Sequence, residues 1–237
     1  MNYNNLNSFK NKSEKIWLNV ASSTFVIEEY INLDNHIFLR HLKIFKILKS
    51  LMRKPYKEYI NNFIHSKKTA KLIVHDCRKR LKFPDNSVDH ILCSHFLEHI
   101  FPNEMEFVVK DFLRCLKPGG TLHIIVPDIN EYVKKYIVER DSESTKEIAA
   151  DNLITSTILT RKQRGSLIFR ILEFFGGSGL NHRWMYDYSS MEKKIINIGF
   201  NIINSNETPS SHYRENDGSV HVFAKKQLKS KLATIII

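Results

Sequence analysis

Phe83-Pro84-Asp85-Asn86-Ser87-Val88-Asp89-His90-Ile91-Leu92-Cys93-Ser94-His95-Phe96-Leu97-Glu98-His99-Ile100 is the stretch on which the fold turns. Its first five residues form a turn by their chemistry, since proline presets φ and Asp, Asn and Ser side chains bond to the nearby backbone. Val88 to Cys93 then reads as a short buried strand, and Ser94-His95 marks its end. Outward from it, the same pattern recurs at Ile16–Val20, followed by Ala21-Ser22-Ser23-Thr24, and at Tyr30–Leu33, ending at Asp34. It recurs again at Lys71–His75, ending at Asp76, and at Thr121–Val126, closed by Pro127-Asp128. Helical patterns separate these runs: Ile37 to Met52, a helix capped by Asn103 and stopped by Lys117-Pro118-Gly119-Gly120, one reaching Arg140, and Tyr188 to Asn197. Short strands alternating with helices specify a parallel sheet with crossover helices. The last two strands, near Phe200–Asn204 and Ser219–Ala224, are joined by a short loop and must pair antiparallel.

The chain has 237 residues, 42% of them apolar, which fits one α/β domain spanning 1–237. That domain is expected to carry a basic helical insertion at about 37–68, a second helical insertion at about 141–187 and a loose tail over 226–237. Glycine is scarce: eight in all, the first at Gly119. A glycine-rich phosphate loop of the GxxxxGK[ST] or GxGxxG type is thereby excluded from the N-terminal half. No run of about 18 uncharged apolar residues is present to span a bilayer. Cys77, Cys93 and Cys115 are odd in number and widely spaced, so they indicate neither a disulfide framework nor a zinc cluster. The N-terminus lacks the apolar core of a signal peptide, and a cytoplasmic location is expected. The net charge of +11 is concentrated: Arg40 to Lys82 holds fourteen Lys/Arg against only Glu58 and Asp76. Such a segment suits a local anionic surface such as phosphate, acidic glycan or lipid headgroups, or is simply a solvated face. Over Ile37–Met52, Arg40, Lys43, Lys46 and Arg53 lie opposite Phe38, Leu42, Phe45, Leu48 and Met52. This amphipathic pattern admits peripheral contact with the inner face of a membrane.

In an open parallel sheet the ligand sits beyond the carboxyl ends of the strands, where strand order reverses. The first strand offers Asn19 and the small-residue turn Ala21-Ser22-Ser23. The second ends in Asp34, the third in Asp76-Cys77 and the fourth in Ser94-His95. A carboxylate closing the second strand is placed to accept from both hydroxyls of a ribose, and one after the third from the exocyclic amine of adenine. Singly, each also reads as a helix cap or turn residue; at four successive strand ends they favour a nucleoside site.

At these residues the sequence resembles the class I S-adenosylmethionine-dependent methyltransferases, in particular the branch associated with sugar and cell-surface polysaccharide biosynthesis. The resemblance covers roughly Lys15 to Tyr136 and resumes from Asn181 to Ala224. Phe83 to Ile100 is similar to the family's block running from FPDNS to LEHI, and Leu113 to Leu122 to its LKPGG turn into the fifth strand. His182-Arg183-Trp184-Met185-Tyr186-Asp187 resembles a block of the glycan-associated branch. The resemblance implies a Rossmann-like fold: a seven-stranded, mostly parallel sheet with an antiparallel last strand, helices on both faces and a helical insertion after strand five. It also implies S-adenosyl-L-methionine as cofactor, released as S-adenosyl-L-homocysteine, and held by Asn19, Ala21, Ser22, Ser23, Asp34, Asp76, Cys77, Ser94 and His95. The first motif departs from the family, with Asn19, Ala21 and Ser23 standing where an acid and alternating glycines are usual. A Cβ at those positions narrows the approach to the methionine part and disfavours positive φ. Asn19 also lacks the charge that would attract its ammonium group.

Methyl transfer from a sulfonium is an in-line displacement in which the protein mainly aligns donor and acceptor, and no metal is required. A hydroxyl acceptor calls for a general base, for which His95 and His99, after strand four, and His182 are the candidates. Glu98 reads as a residue fixing the same loop. The resemblance implies that His182, Arg183 and Tyr186 bind the acceptor, and that Arg161, Lys162, Arg164 and Arg170 form a cationic wall suited to phosphate-bearing acceptors. The expected activity is methylation of a hydroxyl, before a phosphate or amine, on a sugar-derived or other small polar acceptor in surface-glycan synthesis. Two alternatives stay open: a non-catalytic scaffold whose glycine-poor loop has lost the cofactor, and an RNA methyltransferase using the basic segment. No base-flipping motif or RNA-binding module supports the second.

Overall fold

Val88, Ile91, Leu92 and Cys93 are fully buried, so their strand has no solvent face and belongs at the centre of a sheet covered on both sides. The computed structural model, which describes residues 6–160 and 181–228, places it there. Seven strands, β1 (Trp17–Val20), β2 (Ile31–Asp34), β3 (Leu72–Val74), β4 (Val88–Ser94), β5 (Leu116–Pro127), β6 (Phe200–Ile202) and β7 (Ser219–Lys226), form one sheet in the order β3-β2-β1-β4-β5-β7-β6. β1 to β5 run parallel, while β7 lies antiparallel between β5 and β6. The expected fold class is therefore observed. Strand order reverses between β1 and β4, which opens a crevice at their carboxyl ends.

The described helices are α1 (Ile37–Arg40), α2 (Leu42–Leu48), α3 (Lys54–Thr69), α4 (Pro102–Cys115), α5 (Ile129–Arg140), α6 (Ala149–Ser156) and α7 (Tyr188–Ile198). α4 turns Met105, Val108, Val109, Phe112 and Cys115 into the main core, the spacing of one helical face. Its start corrects the sequence reading. Phe101, not Asn103, is the cap; Pro102 opens the helix, and the Glu104 carboxylate accepts the Phe101 N–H at 2.9 Å. The turn before β4 is fastened by Arg114, which donates to the carbonyls of Leu81 and Phe83 and to Asp85.

Three other expectations are corrected. The helix read from Ile37 to Met52 is two helices and a 3-10 turn, broken at His41, whose φ of −115° and ψ of 33° leave the helical region. Its apolar side, through Phe38, Leu42, Phe45 and Met52, packs with Ile60 and Phe63 of α3 in a second core beside β3. The Lys117–Gly120 stop falls inside β5: Leu116 pairs with Val88 and Thr121 with His90, so five steps on β5 face two on β4 and the excess bulges. A Cβ on Gly120 would lie 2.9 Å from the Lys117 carbonyl and 3.2 Å from that of Asp89, which explains glycine there. Finally, Lys226 is no part of a loose tail. It ends β7 and donates to the carbonyls of Leu113 and Leu116, capping the C-terminus of α4. Arg161, Lys162, Arg164 and Arg170 lie outside the described residues. Among those described, no helix is long and apolar enough to cross a membrane.

Candidate functional site

The loop after β1 is built on small residues in unusual conformations. Ala21 and Ser23 have φ of +54° and +50°, the left-handed region that glycine enters at least cost. The loop thus keeps the shape of a glycine turn without glycine. Hydrogen bonds hold it: Ser22 N–H donates to the Leu33 carbonyl at 3.0 Å, and Ser23 N–H to Asp34 Oδ2 at 2.8 Å. Asn19 is buried and its amide donates to the Phe25 carbonyl and to Asn32 Oδ1, both at 2.9 Å. Its donors are occupied with pinning the loop to β2.

Asp34 ends β2 as expected. Its second oxygen accepts the His36 N–H at 2.7 Å. Burial raises its carboxyl pKa, opposed by the backbone donors of His36 and Ser23 and the nearby His36 ring. A carboxylate offers about four acceptor positions; with the backbone donors of Ser23, Asn35 and His36 on it, about one remains for a hydroxyl. Asp76 lies beyond β3 and receives three bonds from Arg78, from its backbone N–H at 3.2 Å, Nε at 3.0 Å and Nη2 at 2.9 Å. Burial pushes its pKa upward, but the Arg78 guanidinium overrides this and holds it low. Asp76 stays ionised, with Arg78 as its principal partner. Cys77 is a correction: its thiol is buried between the Leu33 and His75 carbonyls and against the Ala21 backbone. It supports the loop from beneath and presents no side chain to a ligand. Ser94 ends β4 with its hydroxyl buried and without a hydrogen-bond partner.

Residues beyond the predicted set also reach this crevice. His36 stacks on Tyr59 of α3, with ring centroids 5.1 Å apart at 24°, and the Tyr59 hydroxyl lies 3.5 Å from Ser23 Oγ. α3 therefore braces the loop. The signal was weak, because Tyr59 sits in a basic helix with no motif around it.

The second half of the site follows β4. Leu97–His99 forms a short 3-10 turn, and the Glu98 carbonyl accepts the N–H groups of Arg183 and Trp184. That docks the 181–187 segment against the turn, while Tyr186 bridges to Asp128 at the end of β5. His95, Glu98, His99 and His182 consequently come together. His95 Nδ1 is 3.2 Å and His99 Nε2 is 3.9 Å from Glu98 Oε1, and the His99 and His182 rings are 5.0 Å apart. Desolvation lowers the pKa of His182. Tyr186, expected to bind acceptor, is 1% exposed, its hydroxyl buried and its pKa raised by burial and by the Glu98 charge. It faces inward, toward Glu98. Arg183 lies over the Phe101 ring at 5.5 Å, and Trp184 is 48% exposed beside it in sequence.

Residues 51–124 match the family model described as "Methyltransferase domain", over the segment carrying β3, β4, α4 and most of β5. Over that segment, about a third of the chain, the sequence is similar to methyltransferase domains. No curated protein matches it by sequence. Solved structures similar to it include a SAM-dependent methyltransferase from Methanosarcina mazei, with 16% identity, TM-score 0.49 and coverage of 91% of this chain and 93% of that one. Another is a possible histamine N-methyltransferase from Thermotoga maritima, with 14% identity, TM-score 0.45 and coverage of 90% and 83%. An O-methyltransferase family protein from Burkholderia thailandensis shows 9% identity and TM-score 0.47, covering 91% of this chain and 52% of that one. At the end of the crevice the β1 loop keeps its tight turn, and the Asp34 carboxylate lies against it.

Proposed function

We propose that this protein is an S-adenosylmethionine-dependent methyltransferase that acts on a hydroxyl of a sugar-derived or other small polar acceptor, in surface-glycan synthesis. The observation that carries the reading is the gathering of three imidazoles around Glu98 at the end of β4. When bound, S-adenosylmethionine supplies a methyl group already activated on a sulfonium. Asp34 would hold the ribose, the 19–23 loop the methionine part and Ser94 would donate to or accept from the cofactor. What remains for the protein is to hold the acceptor in line and remove its proton. An imidazole takes that proton near neutral pH, and His95, with Nδ1 3.2 Å from Glu98 Oε1 and Nε2 3.4 Å from Ser219 Oγ, is the candidate. An apolar acceptor or one already ionised would need no such group.

The sugar assignment draws support from the rim. Exposed Trp184 and Phe101, with Arg183 between aromatic and solvent, suit the apolar face and polar edge of a pyranose, and an arginine suits a phosphate on it. Exposed apolar side chains on α2, interleaved with lysines, favour work beside an anionic membrane.

Calorimetry with S-adenosylhomocysteine tests the cofactor half. Wild type is expected to bind at one site and Asp34→Ala to weaken binding at least tenfold; absence of binding by wild type sinks the reading. Transfer of labelled methyl from S-adenosylmethionine to phosphorylated sugars, and not to RNA, tests the acceptor.

A further inference from the structure

We propose that Glu98, His99 and His182 form a binding site for a first-row divalent cation, positioned to receive the acceptor oxygen. Their ligand atoms all lie within 4.8 Å of one another, although His182 is more than eighty residues away in sequence. The sequence reading took His99 and His182 as separate proton or acceptor groups and Glu98 as a loop fastener, with no metal. The folded chain joins them.

Glu98 makes the strongest case. It is 0% exposed, and neither carboxylate oxygen has a hydrogen-bond partner. Among the described residues no lysine or arginine pairs with it; its close neighbours are His95, His99, and the phenols of Tyr132 and Tyr186, which feel its charge. Burying a carboxylate without compensation is strongly unfavourable, and two aromatic hydroxyls and a non-aligned imidazole are weak compensation. A bound dication supplies what is missing.

Both imidazoles are prepared as ligands. His99 Nδ1 lies 3.1 Å from the Asn181 carbonyl. The carbonyl can only accept, so Nδ1 carries the proton and Nε2 turns a lone pair toward Glu98. In His182 the ring hydrogen-bonds to the Thr157 backbone while Nδ1 is buried with no partner. The proton belongs on the bonded nitrogen, and Nδ1 is free to ligate. A backbone carbonyl orienting the far side of each ring is the usual support of a metal-bound histidine.

The donor set also restricts the ion. One carboxylate with two imidazoles selects Zn2+, Mn2+ or Fe2+ over Mg2+, which prefers oxygen. Bonds of about 2.0–2.2 Å require donor spacings near 3.4 Å, so the widest gap closes with movements of under about 1 Å on each side. Three protein ligands leave coordination positions open, and the partly exposed His95 and His99 side of the cluster reaches solvent. An acceptor hydroxyl binding there would be acidified by the cation, with His95 left to take its proton. This use of the ion rests on the hydroxyl-acceptor reading above; the site itself does not.

The test uses the untagged full chain, stripped with chelator, and titrates Zn2+, Mn2+ and Mg2+ by calorimetry. Zn2+ and Mn2+ are expected to bind one per chain and to raise the melting temperature, with Mg2+ at least tenfold weaker. Glu98→Gln and His182→Gln should each lose at least a hundredfold in affinity. If Glu98→Gln fails to fold, His99→Ala, a partly exposed position, serves in its place. Wild type that binds neither Zn2+ nor Mn2+ stoichiometrically, or variants that bind as wild type does, overturn the proposal. S-adenosylhomocysteine titrated in parallel separates the two readings: cation binding without it fails only the methyl-transfer reading, and its binding without a cation site fails only this one.

Discussion

Ser23 holds φ at +50° with its N–H on Asp34, a conformation that costs a non-glycine residue about 1–2 kcal/mol. Ser23→Gly removes that strain and loses only a 3.5 Å contact with Tyr59, against about 0.5–1 kcal/mol for a more flexible unfolded chain. A net gain on the order of 0.5–1 kcal/mol is expected, read as a higher urea midpoint with unchanged m. Ala21 differs, since its methyl packs against the main core, so Ala21→Gly gives back in burial what it gains in strain and should come out near neutral. If Ser23→Gly destabilises, the loop owes its shape to the serine and the strain argument fails. Strand-end residues such as Asp34 were legible in the sequence because an acid closing an apolar run has few other uses. The loop's conformation was not, for Ala and Ser declare no positive φ. Nor was the role of Glu98, whose partner His182 is set by how two distant segments dock rather than by any local period.

Among the elements, β4, β5 and β7 share a buried polar ladder. His90 Nδ1 bonds Thr121 Oγ1 at 2.8 Å and Nε2 bonds Ser210 Oγ at 2.9 Å; Ser210 also reaches His123 Nδ1 at 2.8 Å, whose Nε2 meets His221 Nδ1 at 3.0 Å. His221 Nε2 ends the chain 3.8 Å from Asp217. One consistent assignment has every ring neutral: His221 directs its proton to Asp217 and accepts from His123, which accepts from Ser210, which accepts from His90, which accepts from Thr121. Burial drives His90 and His123 down to about 3. Their folded values lie below the unfolded value near 6.5, so their contribution is complete above about pH 6.5 and is lost as pH falls toward 3. Between pH 7 and 5.5, before carboxylates titrate, each should cost about 1 kcal/mol of stability. Urea unfolding across that window measures it; His123→Gln should flatten the slope by one histidine's share, and a level profile in wild type contradicts the burial. His36, His75, His182 and His221 are also lowered, first by desolvation, and add in the same direction. Strands and α4 were readable from apolar periodicity. The break at His41 was not, because no glycine or proline marks it and packing against α3 decides it.

At the scale of the molecule, charge and exposed apolar surface coincide on the α1–α3 insertion. Ile47 and Leu51 are 79% and 84% exposed, with Ile44 and Leu48 beside them, and Lys43, Lys46, Lys49 and Arg53 alternate with them along the chain. The amphipathic pattern placed Phe38, Leu42, Phe45 and Met52 on the side that packs, but Leu48, read in the same row, is 43% exposed and joins a second apolar row among the lysines. Folding buries one row and leaves the other outside. Apolar side chains ringed by lysines are the arrangement that inserts into an anionic interface, each basic residue contributing about 1 kcal/mol near the surface. Nucleic acid would engage the lysines but gain nothing from Ile47 and Leu51. The two occupants therefore separate on the apolar row. Vesicles containing anionic lipid should co-sediment with the full chain at low salt and less so as salt rises, and neutral vesicles should not. The double variant Ile47→Glu/Leu51→Glu, altering only exposed side chains, is expected to keep its melting temperature and lose at least tenfold in vesicle binding. Binding that survives this variant but yields to RNA competition assigns the basic face to nucleic acid, and no binding at low salt returns it to a solvated surface. Since the same insertion braces the Ser23 loop through Tyr59, contact with a membrane would set the β2 end of the crevice directly beside the lipid surface.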